Sequence, residues 1–157
     1  MILLALDAST TAVGWSLFGG ADYVDSGVYR PKGDDWVSRV CDIERWLYDV
    51  DVEADYDTIG YEIATGNRGN MATHRKLGAV EFVVRQYCKF TDIDLHTVTA
   101  SQVKATGCHK NAPWAATTIK RSQQPDGYLD EKHPGDEADA IGVALAVIRK
   151  AREAEYG

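Results

Sequence analysis

Short apolar runs alternate with breaks rich in glycine and acid along this chain, and the spacing within each run predicts its element. Residues 2–6 are continuously apolar and end at Asp7, the pattern of a buried strand. Residues 10–18 are β-branched and aromatic, with Gly14 among them. Residues 19–22 read as a turn, and residues 23–29 alternate as a third strand, so the first thirty residues predict an antiparallel meander. Pro31-Lys32-Gly33-Asp34 ends it. Asp34 or Asp35 then caps a helix with Trp36, Val37, Val40, Ile43, Leu47 and Val50 on one face.

The second half changes rhythm. Residues 58–63 predict a strand, 65–70 a polar loop, and Leu77, Val80, Phe82, Val83 and Tyr87 mark a helix. Residues 93–98 predict another strand, and Thr99 or Ser101 caps a short helix through Ala105. Residues 107–113 read as a loop, 114–122 as a helix, and 123–132 as a polar, turn-rich stretch. Pro134-Gly135-Asp136 opens the last helix, which buries Ala140, Ile141, Val143, Ala144 and Val147. This order predicts an α/β fold. Its five-stranded mixed sheet is antiparallel first and parallel later, with helices on its faces.

Length makes this one domain over residues 1–157, large enough for a substantial core. No apolar run approaches the roughly 18–20 residues that span a bilayer, and the first residues lack the basic region of a signal peptide. The expectation is a cytoplasmic protein without a membrane partner. The three cysteines (Cys41, Cys88, Cys108) form no CxxC and read as reduced, mostly buried thiols. Net charge is −7, which by itself argues against nucleic acid. Its distribution argues the other way. Residues 62–121 hold nine basic and four acidic side chains, and residues 95–125 hold no acid at all. Such asymmetry can build a basic face on an acidic protein, or simply reflect chance segregation of solvated charges.

Four acids stand in unusual places. Asp7 follows the first buried run and precedes Ala8-Ser9-Thr10-Thr11. Glu62 sits inside a strand between Tyr61 and Ile63. Asp136 and Asp139 are three apart at the start of an apolar helix, where such residues lie roughly 5–6 Å apart at Cβ. Each has an ordinary reading: Asp7 as a strand end, Glu62 as a solvated sheet residue, the pair as acids favoured by the helix dipole. Together they suggest more. Like charges ~4 Å apart repel by about 4 kcal/mol at an effective dielectric near 20, so convergent acids need a cation. Oxygen donors suit Mg²⁺ or Mn²⁺, and two such ions can hold the attacking and leaving oxygens of a phosphodiester.

The segments Leu4-Ala-Leu-Asp7-Ala-Ser-Thr-Thr-Ala-Val-Gly14-Trp-Ser, Gly60-Tyr-Glu62-Ile, Lys76-Leu-Gly78-Ala, Ser101-Gln102-Val103-Lys104 and Asp136-Glu-Ala-Asp139-Ala-Ile occur in this order. As a set they resemble the RuvC family of Holliday-junction resolvases over nearly the whole chain. The resemblance implies an RNase H-like fold and a homodimer. It also implies a metal-dependent endonuclease that resolves four-way DNA junctions by paired symmetric nicks, with two Mg²⁺ ions (or Mn²⁺) per site. By motif position Asp7, Glu62, Asp136 and Asp139 match the family's metal-binding acids, and Lys104 its Gln-Val-Lys lysine. Two positions depart from the pattern. Thr65 stands where the family often carries an aromatic, and Pro113 or Trp114 where it carries a second lysine, with Lys110 nearby. The departures point to a divergent member, consistent with a phage-encoded origin and action in the host cytoplasm.

Arg68, Arg75 and Lys76 lie in or after the loop that follows Glu62, as candidate phosphate contacts or as a solvated helix start. His133 precedes Asp136 and reads better as plain surface, Trp114 as core rather than a base-stacking ring. Cys108-His109 lacks the partners a zinc site needs. The helix around residues 77–87 packs on the sheet or on a second subunit, and a dimer contact would use residues 71–90, apolar on more than one side at Phe82, Val83, Val84 and Tyr87. Other functions compete: an RNA-processing nuclease of the YqgF kind, a sugar-kinase or actin-like ATPase, and a non-enzymatic module binding branched DNA. The ATPase needs two such domains, and a pure binder would gain by losing acids near phosphate.

Overall fold

The computed structural model describes residues 1–50, 55–64, 70–108 and 135–156. Its elements are β1 (Ile2–Ala8), β2 (Val13–Gly19), β3 (Asp22–Tyr29), α1 (Trp36–Asp49), β4 (Thr58–Ile63), α2 (Met71–Thr91), β5 (Asp94–Thr99), α3 (Ala100–Ala105) and α4 (Gly135–Tyr156). They form a five-stranded sheet in the order β3-β2-β1-β4-β5. β1–β2 and β2–β3 pair antiparallel, β1–β4 and β4–β5 parallel. The mixed α/β sheet expected from the sequence is therefore the fold. The helix expected at residues 114–122 lies outside the described residues, as do Thr65, Arg68, His109, Lys110, Pro113, Trp114 and His133.

β1 is central, and its apolar run is buried because both of its faces are covered. Leu4 and Leu6 face one core with Ile59 and Tyr61, beneath Val40, Ile43 and Leu47 of α1 and Val80, Val84 and Tyr87 of α2. Leu3 and Ala5 face the other, with Phe18 and Val98 beneath Ile141, Val143, Ala144 and Val147 of α4. Every residue expected on the buried face of the last helix is buried.

Local chemistry sets the boundaries. Asp35 caps α1, accepting from the Ser38 N–H at 2.7 Å. Thr99 caps α3 in a capping box with Gln102. α2 ends at Asp92, whose left-handed φ of 58° lets its N–H close on the Cys88 carbonyl. Four expectations need correction. β2 begins at Val13 rather than at residue 10, because Ser9 turns the chain: its N–H reaches the Ala12 carbonyl and its Oγ accepts from the Ala12 N–H. β5 begins at Asp94, since the Ile93 N–H is taken by the end of α2. Val37 and Phe82 are exposed, because the buried stripes of α1 and α2 run along another face of each helix. Val83, Val84 and Tyr87 face the first core and are thus removed from any outer contact of α2. Cys88 and Cys108 are buried, and burial raises their thiols to about 11 and about 12, whereas Cys41 is exposed.

α1 is tied to β3 by one buried carboxylate. Asp42 accepts from the Tyr29 hydroxyl at 2.5 Å and the Lys32 N–H at 2.8 Å, and pairs with Arg45 at 3.2 Å. The Lys32 N–H, then the Tyr29 hydroxyl, hold the Asp42 carboxyl below its usual range, while burial and the bond to Asp42 raise Tyr29 to about 12. The folded chain therefore protonates Asp42 less readily than the unfolded chain does. The stabilisation from this group is complete above the ordinary Asp value near 4 and is lost as pH falls through the lower folded value. Asp42→Asn is expected to lower stability by about 1–2 kcal/mol at pH 7. In denaturant titrations the gap between variant and wild type should narrow at pH 3; an unchanged gap would separate Asp42 from the acid limb.

Candidate active site at the carboxyl ends of the parallel strands

The parallel strands β1, β4 and β5 end at the same edge of the sheet, the edge where open α/β sheets place their ligand crevice. Asp7 and Glu62 are each the next residue after the paired Leu6 and Tyr61. Side chains alternate along a strand, so these acids share the face of Leu3, Ala5 and Gly60, the face that α4 covers. Their charges also reach back across the sheet. Tyr61 is pushed up chiefly by burial, then by Glu81, Asp7 and Glu62.

α4 brings the other two acids to this corner. Its first turn rests on Gly14, the cross-strand partner of Asp7: a Cβ at Gly14 would overlap the Asp136 carbonyl. One turn further, the buried Ser16 hydroxyl donates to the Ala140 carbonyl at 2.9 Å. Farther along, Val143 and Val147 lie over Gly60. The first turn of α4 thus stands one strand away from Asp7, with Asp136 and Asp139 half-buried. Asp139 lies on the side of α4 nearer Cys108, whose thiol bonds the Ala138 carbonyl at 3.4 Å and whose upward shift owes a smaller part to the Asp139 charge. The donor set is entirely carboxylate, which suits a hard divalent cation. Among the described residues, no three His, Cys, Asp or Glu side chains draw together closely enough to hold an ion.

The basic candidates divide. Lys104 is exposed in the last turn of α3, next to Val103, which is buried against Gly142 of α4. Arg75 and Lys76 sit in the second turn of α2, Arg75 exposed and Lys76 half-buried. One acid escaped the sequence reading: Glu137 is buried, and its carboxylate accepts from the Ser26 hydroxyl at 2.5 Å. Its position on the stripe that continues through Ala140, Ile141 and Ala144 was the available signal.

No protein-family profile matches the sequence, and no curated protein matches it. Solved structures do. The Thermus thermophilus RuvC in complex with a Holliday junction substrate superposes with a TM-score of 0.74 at 19% identity, over 98% of this chain and 96% of that one. A second T. thermophilus RuvC structure gives 0.68 at 19% identity over 98% and 97%. The fowlpox virus resolvase, in complex with Holliday junction DNA, gives 0.62 at 9% identity over 96% and 99%. The fold is RNase H-like. The likeness runs from end to end of these chains, so the sheet and its flanking helices match as one unit. Among the described residues no helix is long and apolar enough to cross a membrane.

The contact of α4 with Gly14 makes a sharp expectation. Gly14→Ala forces the first turn of α4 away from β2, since backbone lies on both sides of the clash. The variant should unfold several degrees lower. Its backbone amide shifts should change most at Asp136 to Ala140 and little in α1. Changes spread evenly over the sheet would count against this seat.

Proposed function

We propose that this protein is a divalent-metal-dependent, structure-selective DNA endonuclease that resolves four-way junctions by paired symmetric nicks, acting as a homodimer. The observation that carries the proposal is the placement of Asp7 and Glu62 on adjacent parallel strands, with α4 starting one strand away and carrying Asp136 and Asp139. Solved structures with this fold, two of them bound to Holliday junction DNA, support the junction as substrate.

Asp7, Glu62, Asp136 and Asp139 are the residues that would hold Mg²⁺ or Mn²⁺, two ions per site. Bound there, the metal would supply a water activated for attack and neutralise charge developing on the phosphate. The chain's own part is to place Asp7 and Glu62 on adjacent strands at one sheet edge and to seat the first turn of α4, with Asp136 and Asp139, on the neighbouring strand. Lys104 adds a positive charge whose effect grows as the phosphate gains negative charge in the transition state. Arg68, Arg75, Lys76 and Lys110 hold backbone phosphates, which keeps the strand in register but carries no sequence information. One domain carries one set of these acids, and a four-way junction offers two equivalent strands, so two-fold pairing of subunits presents two sites to one junction.

The decisive experiment compares cleavage of a four-way junction, a linear duplex and an RNA of similar length, each with Mg²⁺ and with chelator. Junction cleavage that requires Mg²⁺ is expected; preferred cleavage of RNA would favour an RNA-processing role instead. Asp7→Asn should reduce junction cleavage by at least about 10²-fold, a loss on the scale of removing one strong electrostatic group, while junction binding holds or improves. Mobility-shift and cleavage assays at the same protein concentration would separate the two effects. Lys104→Ala should lower the rate at saturating protein by about 10- to 100-fold and affinity far less. Loss of affinity alone would make Lys104 a phosphate anchor. Sedimentation of the protein alone and on junction DNA tests the dimer.

A further inference from the structure

The edge of the sheet farthest from β5 contains an irregularity with a consequence for α4. β2 and β3 pair in register from Val13↔Tyr29 to Leu17↔Asp25, then jump to Phe18↔Tyr23, so Val24 is an extra residue in β3. In a regular strand, residues three apart point to opposite faces. The bulge cancels this for Tyr23 and Ser26. Ser26 lies opposite Ser16, which bonds α4, and Tyr23 lies opposite Phe18, which belongs to the core under α4. Both hydroxyls therefore stand on the α4 side, 2.8 Å from each other.

They end on the buried acid in the first turn of α4. The Ser26 hydroxyl donates to Glu137 Oε1 at 2.5 Å, which leaves Tyr23 as the donor to Ser26. Tyr23 is itself held by an edge-to-face contact with Phe18, centroids 5.8 Å apart. Glu137 lies between Asp136 and Ala138, in the same helical turn as Asp139. Anchoring one carboxylate of that turn constrains the direction in which the other two project.

We propose that the bulged segment of β3, through Tyr23, Ser26 and Glu137, positions Asp136 and Asp139 for the reaction, and that Glu137 is a positioning residue rather than a metal ligand. The inference rests on the nuclease reading for its effect on rate but not for its structural part. A misplacement of about 1 Å at a reacting centre can cost about 10²-fold in rate. Glu137→Ala should therefore lower kcat on junction DNA by about 10- to 100-fold, leave junction affinity within about twofold, and raise the Mg²⁺ concentration for half-maximal cleavage. Glu137→Gln keeps an amide oxygen that accepts from Ser26 and should retain most of the wild-type rate. Ser26→Ala, which leaves every acid in place, should act in the same direction as Glu137→Ala and more weakly.

A second readout does not depend on activity. Amide shifts in Ser26→Ala should change at Asp136 to Ala140, although Ser26 lies more than a hundred residues away in sequence. If those shifts stay put, or if both Glu137→Ala and Ser26→Ala lower Tm while kcat and the Mg²⁺ requirement hold, the positioning role is wrong. If Glu137→Gln is as slow as Glu137→Ala, the charge rather than the hydrogen bond matters and the proposal fails. Should wild type cleave no junction while Ser26→Ala moves the α4 amides, the nuclease reading falls and the coupling of β3 to α4 stands.

Discussion

Everything at the acidic corner depends on how closely α4 can lie on the sheet. Two sheet positions permit the approach by having no Cβ, and a third glycine lets α4 pack against α3 and the residue that follows its end. Gly14 lies under the Asp136 carbonyl, Gly60 under Val143 and Val147, and Gly142 of α4 itself lies against Cys108 and Val103. A close seat matters because interiors are packed to near-crystal density and give way only at a cost. With the helix fixed at three points along its length, its first turn has little freedom. Two of its acids are then held beside the strand that carries Asp7.

The corner also sets an electrostatic problem. Parallel strands end together, so residues that follow their apolar runs are brought to one edge whatever their charge. On β1 and β4 those residues are carboxylates, and a buried or half-buried carboxylate is stable only with a partner. The chain deals with Glu137 by hydrogen bonding, through Ser26, and with Asp42 by hydrogen bonding and an ion pair. The acids at the strand ends are arranged differently. They are half-buried. The contrast between acids packed inside the fold and half-buried acids at a sheet edge is what separates the packing role from the proposed chemistry, since composition counts them alike.

The short antiparallel arm has a role beyond extending the sheet. β2 supplies Gly14 and Ser16, the two positions against which α4 docks first, and β3 supplies the bulge that turns Tyr23 and Ser26 to the same side. A regular β3 would have pointed one of those hydroxyls away from α4, and Glu137 would then be a buried charge with one partner fewer.

Among the described residues, periodicity alone was enough to read the order of elements, the mixed sheet and the buried face of the last helix, because local alternation and helical spacing report directly which positions are dry. Asp7, Glu62, Asp136 and Asp139 were also legible as candidates, since an acid that ends or interrupts an apolar run conflicts with its surroundings. What periodicity could not supply was register. The start of β2 and the exposure of Val37 and Phe82 each depend on which neighbour lies opposite. That is decided by long-range packing. The bulge at Val24 shows the reason: one extra residue reverses the facing of everything beyond it, and nothing in the local sequence Asp22-Tyr23-Val24-Asp25-Ser26 reveals which residue is the extra one until the partner strand is in place.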